Sequence, residues 1–396
     1  MSSGAAPRLA GPGAVVIGGD HQGLGIVRSL GRHGIPTCII DDEPSIARFS
    51  RYATHAVGRQ RLSGDDELVS ALYQAHLRWD LQGWVVFPTR DETVGALARV
   101  RDRLVSRYRI PTPCFDVVAT AWDKRLTYDL AVRLGLPIPR TWRLDSASEL
   151  GGVDGPPPYA VKPAIKEHFM AATHDKAWRA DSREELAVTV RRAAQIIPIE
   201  EVLVQEVVPG GGDHQFSYCA LRWNGATVAS MTVRRLRQHP PEFGRASTFV
   251  ETIDSAEVAA AAETFLGAVG LNGLAEVEFK YDDRTGEYKL LDVNPRTWGY
   301  HTLGVASGVD FAYLLFRLAT DQPVRLAAAV PGMRWVRLAT DLPMAAMEMR
   351  RGRIRPRAYV ASLRSADTES VFCRDDRVPA LAELALLPYL ALSRGI

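Results

Sequence analysis

The sequence predicts an α/β chain, with a doubly wound parallel unit first and a longer mixed stretch after it. Three observations carry this. Short apolar runs alternate with helical patterns over roughly the first 110 residues, the mark of a parallel sheet covered on both faces. A second series of strands and helices starts after the turn-rich Tyr108-Arg109-Ile110-Pro111-Thr112-Pro113. Near residue 280, two strand-like runs flank Asp282-Asp283-Arg284-Thr285-Gly286-Glu287, a stretch rich in turn formers.

Residues 14–18 read as the first strand, followed by Gly19-Asp20-His21-Gln22-Gly23-Leu24-Gly25 and a helical pattern to His33. A second strand at 37–41 ends on acids, a helix lies near 65–78 and a further strand at 83–88. Glycines 18, 19, 23 and 25 do not fit G-x-G-x-x-G, although Asp41 and Asp42 stand about where a ribose-binding acid would. A substrate or phosphate resting on this loop is therefore preferred to a nicotinamide cofactor. A helix spans 121–134 with Gly135 as its C-cap, and a strand at 159–163 leads into a lysine-bearing loop. A helix near 182–195, a strand at 201–208 and Gly210-Gly211-Gly212-Asp213 follow. Strands near 215–222 and 226–234, a helix at 255–269, the hairpin, and strands at 330–338 and 353–361 complete the series.

Apolar content of 46%, charged content of 24% and a net charge of +2 describe an ordinary globular chain and argue against a nucleic-acid surface. Lysine is rare: of 48 basic residues only Lys124, Lys162, Lys166, Lys176, Lys280 and Lys289 are lysines, and four of these lie between 124 and 176. A compact ammonium retained among so many arginines suits a phosphate site. Cys38, Cys114, Cys219 and Cys373 are scattered without metal spacing, as expected of reduced thiols in the cytoplasm. Met1 to Arg8 lacks a signal-peptide stretch, and no apolar run is long enough for a membrane span. The apolar tail at 381–392, interrupted by Pro388, is expected to pack on the body or on a partner.

The hairpin holds the chemistry. With a five-residue loop at 283–287, Glu278 falls opposite Asp292 and Glu276 opposite Asn294. Side chains two apart share a face, so Asp292 and Asn294 point the same way. Like charges set directly opposite repel, and a cation would offset this. Glu278, Asp292 and Asn294 are hard oxygen donors, few in number, which suits Mg²⁺ shared with substrate phosphates. Lys162 interrupts the apolar run Tyr159-Ala160-Val161 and needs a partner there.

The order of these pieces resembles the ATP-grasp superfamily. The match runs over roughly 110–310: Lys124 on a helix, Val161-Lys162-Pro163, Val204-Gln205-Glu206-Val207-Val208-Pro209-Gly210, Glu278, and Asp292-Val293-Asn294-Pro295-Arg296. Ala164-Ile165-Lys166-Glu167-His168-Phe169, Lys176-Ala177-Trp178-Arg179-Ala180 and Arg234-Arg235-Leu236-Arg237-Gln238 carry a closer resemblance to predicted carboxylate–amine ligases, the group that includes D-aspartate ligase. The resemblance implies a Rossmann-like pre-ATP-grasp domain over 12–113 and a two-lobed, α+β ATP-grasp domain over 114–325 with its lid lobe at about 122–205. A closing subdomain and tail would occupy 326–396.

It also implies roles. Lys124 and Lys162 would neutralise ATP phosphates, and the backbone at Gln205 and Glu206 would read adenine. Asp213 would grip the ribose, although the family more often has Glu there. Glu278, Asp292 and Asn294 would hold Mg²⁺ (or Mn²⁺). Arg296, with Arg235 as a weaker candidate, would stabilise the transferring group. The loop at 164–173 stands where the family has a mobile lid but lacks its glycines. Trp298, Tyr300 and His301 would line an acceptor pocket or pack in the core.

The expected activity is joining a small carboxylate to an amine through an acyl phosphate, with ADP and phosphate released, and the chain could form a homo-oligomer. A carboxylase, a phosphoryl transferase and a non-catalytic nucleotide-binding regulatory protein remain the alternatives.

Overall fold

The computed structural model describes residues 11–58, 62, 64–244 and 246–394, with 147–148 and 390–394 described by backbone alone. Met1 to Arg8, read above for a leader, fall outside the described residues. Among those described the strands form three sheets.

The first sheet is parallel, in the order β3-β2-β1-β4-β5. It comprises β1 (Ala14–Ile17), β2 (Thr37–Ile40), β3 (His55–Ala56), β4 (Trp84–Pro88) and β5 (Tyr108–Arg109). Helices α1 (His21–Arg32), α2 (Asp65–Trp79) and α3 (Asp91–Leu104) cover it, as alternating strands and helices require. Asp20 caps α1, accepting from the Gln22 amide at 3.1 Å. A Cβ on Gly23 would collide with the Gly18 carbonyl, so strand and helix meet here only because residue 23 is glycine.

The expected single helix at 121–134 is two: α4 (Phe115–Trp122) and α5 (Lys124–Arg133). Asp123 breaks it by capping α5, accepting from the Arg125 amide at 2.9 Å. Gly135 follows α5 with φ of 70°, as its C-terminal signal implied.

The second sheet is antiparallel, in the order β6-β9-β7-β8, from β6 (Thr141–Arg143), β7 (Tyr159–Pro163), β8 (Trp178–Ala180) and β9 (Val202–Glu206). Between β7 and β8 the expected loop is a helix, α6 (Lys166–Thr173), and α7 (Arg183–Ala193) backs the sheet. Without glycine, residues 164–173 offer nothing that resists helix formation. Tyr159 and Val161 enter this lobe's own core with Phe169, Leu186 and Val204.

The third sheet runs β14-β13-β10-β11-β12-β16-β17. Its strands are β10 (Gln215–Trp223), β11 (Ala226–His239), β12 (Ala246–Ile253), β13 (Gly273–Asp282) and β14 (Glu287–Asn294), with α8 (Ala256–Val269) between β12 and β13. Strand β12 was not expected, because its polar residues weaken the apolar signal. After β14 come α9 (Thr302–Ala306), α10 (Phe311–Ala319), β15 (Ala327–Ala328) on β11, and β16 (Arg334–Val336) on β12. Residues 353–361, expected as a strand, lie mostly in α12 (Pro356–Arg364), which follows α11 (Leu338–Arg350). Pro356 starts α12 at a position where its missing N–H costs nothing. Strand β17 (Thr368–Glu369) precedes α13 (Val378–Arg394), the apolar tail, whose Ala380, Ala382 and Leu386 pack on the body while Leu381 and Leu384 are exposed.

One apolar cluster runs from Val16 and Phe87 to Leu221, Trp298 and Trp335, joining the parallel sheet to the third sheet. Trp298 is fully buried in it, so it belongs to the core rather than to a pocket wall. The smaller antiparallel sheet keeps a separate core, and the cleft between the two lobes is where polar side chains gather.

Candidate active site

Strands β13 and β14 pair Glu278 with Asp292 and Glu276 with Asn294, the register expected from sequence. The chain reaches it differently. The turn has four residues, 283–286, and Asp282 pairs with Glu287. A bulge at Leu291 restores the register before the acids. Leu291 and Asp292 consequently both line the cleft, although they are neighbours on a strand.

Each acid is held by cations. Lys124 Nζ donates to Asp292 at 2.9 Å, and Arg235 reaches Glu278 at 3.2 Å. Burial works to raise both pKa values, but the charges overcome it. Asp292 is lowered to about 2 by Lys124, Lys176 and Lys166, and Glu278 is lowered by Arg235 and Lys176. Asn294 donates from Nδ2 to Glu276 at 3.2 Å and Glu278 at 3.0 Å, while its Oδ1 accepts from Arg296 at 3.2 Å. Glu276 also accepts from the buried Tyr300 hydroxyl. Burial and the neighbouring Glu278 push Glu276 up to about 7.

Lys162 follows the β7 alternation away from the Tyr159 and Val161 core and into the cleft, where Nζ donates to the Tyr128 hydroxyl at 2.7 Å. Burial and the nearby Lys124 lower it to about 7. Tyr128 itself donates to the Leu291 carbonyl at 2.9 Å. Gln205 Nε2 donates to Thr141 Oγ1 at 2.7 Å, beside Tyr128. The Glu206 carboxylate is engaged by Lys289 at 2.6 Å, Arg284 at 3.0 Å and the Arg140 amide at 3.0 Å, and residues 205–210 line the cleft.

The cavity is about 370 Å³, and Lys124, Lys162, Gln205, Glu206, Glu278 and Asp292 all line it. Four expected site residues do not. Arg235 lies buried behind Glu278, and Arg296 and Asn294 sit past its end. Asp213 lies in the turn after β9, largely exposed and paired with His214 at 3.0 Å.

Arg296 does not continue the strand. Its amide donates back to the Asn294 carbonyl at 2.9 Å, so Pro295 turns the chain. The guanidinium grips Asp91 through Nε at 2.6 Å and Nη2 at 2.9 Å, and Lys166 bonds the same carboxylate. The Glu276 pairing considered from sequence gives way to this. Asp91 opens α3 in the parallel unit, 205 residues away, and no local pattern marks it. At the Gly-rich turn, the Gly19 amide is taken by Asp41 at 2.5 Å, and Arg90 pairs with Asp41 at 3.0 Å. That amide is satisfied within the protein. His301 is buried and bonds the Gln22 carbonyl at 3.0 Å.

Among the described residues no three His, Cys, Asp or Glu side chains converge to cage a metal. Two facing carboxylates and an amide oxygen still suit Mg²⁺, which keeps water and phosphate oxygens among its ligands.

A family model described as "ATP-grasp in the biosynthetic pathway with Ter operon" matches residues 199–340. The chain is 24% identical over 336 residues to the carbamoyl phosphate synthase large chain of Thermomicrobium roseum, across 78% of this chain and 29% of that protein. It is 25% identical over 144 residues to the D-aspartate ligase of Enterococcus faecium, across 35% of this chain and 34% of that protein. The chain thus spans about a third of the length of these curated relatives. The crystal structure of an L-amino acid ligase from Bacillus licheniformis is similar with a TM-score of 0.61 at 16% identity, over 80% of this chain and 76% of that one. No helix among the described residues is long and apolar enough to cross a membrane.

Proposed function

We propose that this chain, which has the ATP-grasp fold and carboxylate–amine ligases among its relatives, is an ATP-dependent ligase that joins a small carboxylate to an amine. The observation that carries this is the opposed Glu278 and Asp292 pair in the lining of a cavity shared with Lys124 and Lys162. The adenine would lie along the backbone of 205–210, with Leu291 as an apolar wall. Lys124 and Lys162 would meet the phosphates. Glu278, Asp292 and Asn294 would hold Mg²⁺, which when bound neutralises phosphate charge.

A substrate carboxylate oxygen would attack the γ-phosphorus as the bond to the bridging oxygen of ADP breaks. This converts a poor electrophile into an acyl phosphate. The amine would then attack the carbonyl carbon, phosphate would leave as the C–O bond to it breaks, and the amine's surplus proton would pass to that phosphate or to solvent. Arg296, whose Nε and Nη2 are held by Asp91, would stabilise the acyl phosphate from the end of the acid strand. Asp213, outside the cavity lining, would reach a ribose only if the turn carrying it moved.

A different acceptor is the second reading, favoured by the match to carbamoyl phosphate synthase over most of this chain. ADP release measured across amino acids and small carboxylates, with and without amines, separates the two. Release that needs both a carboxylate and an amine supports the ligase. Release with bicarbonate alone, or none with any pair, removes it.

A further inference from the structure

Lys176 lies between α6 and β8, two residues after His174, whose left-handed φ of 59° ends the helix. Its side chain lines the cavity. The other four lysines of that lining are each held: Lys124 by Asp292, Lys162 by Tyr128, Lys166 by Asp91, and Lys280 by the Gly210 and Gly211 carbonyls. Among the described residues Lys176 makes no hydrogen bond or ion pair. Glu278 and Asp292 line the same cavity, and the Lys176 ammonium is bonded to neither. A half-buried ammonium without a partner is unfavourable until something anionic arrives.

Two features suit this ammonium to a phosphate in the cleft. Residues 164–177 contain no glycine, and α6 takes up most of them, so a tight loop of backbone amides is not available to wrap a phosphate. Across the mouth, Arg179 of β8 pairs with Glu242 of the turn between β11 and β12 at 3.2 Å, tying the segment that carries Lys176 over the cavity.

We propose that Lys176 is the lid's ligand for the transferred phosphate, contacting the γ-phosphoryl oxygens of bound ATP. This rests on the nucleotide reading above and deepens it: a side-chain ammonium does what backbone amides would do in a glycine-rich lid.

The test compares binding of Mg-ADP with binding of the non-hydrolysable β,γ-imido analogue of ATP, by calorimetry. The wild-type chain, Lys176→Gln and Lys176→Arg are measured side by side. One hydrogen bond to a charged group corresponds to roughly tenfold to a hundredfold in affinity. Lys176→Gln should lose about that much for the imido analogue and keep its affinity for ADP, which also shows that the variant folds. Lys176→Arg should recover most of the loss. Equal loss for both nucleotides, or no loss for either, overturns the assignment while leaving nucleotide binding intact. Failure of the wild-type chain to bind either nucleotide overturns both readings.

Discussion

Asp292 and Arg296 stand four residues apart, yet their removal should have different consequences. Asp292→Asn removes a charged metal ligand and the partner of Lys124, so Mg-ADP binding and turnover should fall together. Arg296→Ala removes a donor that acts on the transferring group. The loss of one preorganised donor typically costs about 10²–10³ in rate, while ADP affinity should barely change. Titration calorimetry set beside ADP release tests this, and a variant of Arg296 with full turnover would refute its role. Lys162 supports a second prediction. Its pKa is lowered to about 7 by burial and Lys124, so at pH 8 the free protein holds it mostly neutral. Phosphates raise that pKa, so nucleotide binding at pH 8 should take up about one proton, and at pH 6, where the lysine is already charged, close to none. Calorimetry in buffers of different protonation heat measures this. No buffer dependence at pH 8 would remove the lysine from the phosphate site. Lys162 stood out in sequence because it breaks an apolar strand, whereas Asp213 rested on the resemblance alone, at a position where the family more often has Glu, and lies outside the cavity lining.

The hairpin of β13 and β14 is the element on which the site depends. Its register was readable because Glu278, Asp292 and Asn294 fall into place when the turn residues are counted. The bulge was not readable, since a five-residue loop and a four-residue turn plus one bulged residue give the same pairing at the acids. Only the bulge brings Leu291 to the cavity face. Leu291→Ala should therefore weaken ADP and ATP equally, by up to about 2 kcal/mol from three lost carbons, with no effect on metal dependence. Equilibrium binding of both nucleotides to the variant tests it, and a selective loss for ATP would show that Leu291 lies at the phosphates instead. The lid segment shows the reverse limit. Its resemblance suggested a loop, but a stretch without glycine or proline folds as α6.

At the scale of the whole molecule, Asp91 couples the parallel unit to the grasp cleft by holding Arg296 and Lys166 together. Asp91→Asn keeps the shape and removes the charge that compensates two cations. Removing one partner of a buried pair typically costs about 3–5 kcal/mol, and the partial exposure of Lys166 should place this case near or below the lower figure. Denaturant unfolding should show that loss, and turnover should fall further than Mg-ADP affinity, because Arg296 loses its anchor and the phosphate lysines do not. Unchanged stability with unchanged turnover would mean the contact is incidental. A second tie, Arg28 with Asp376 at 2.9 Å, fixes the segment before α13 to α1, outside the cavity lining, and offers a control in which stability falls without a selective effect on chemistry.

The sequence by itself determined what depends on neighbours along the chain. Alternating apolar runs and helical patterns specify the parallel unit, since burial on both faces is written into residue order. Residues two apart on a strand share a face, so the Asp292 and Asn294 pairing followed from counting. The tertiary structure alone decided which distant groups meet. Asp91 with Arg296 and Tyr128 with Lys162 join through packing of separate lobes, Arg235 reaches Glu278 across a strand of the third sheet, and their charges settle only when the cleft excludes water and each needs a partner.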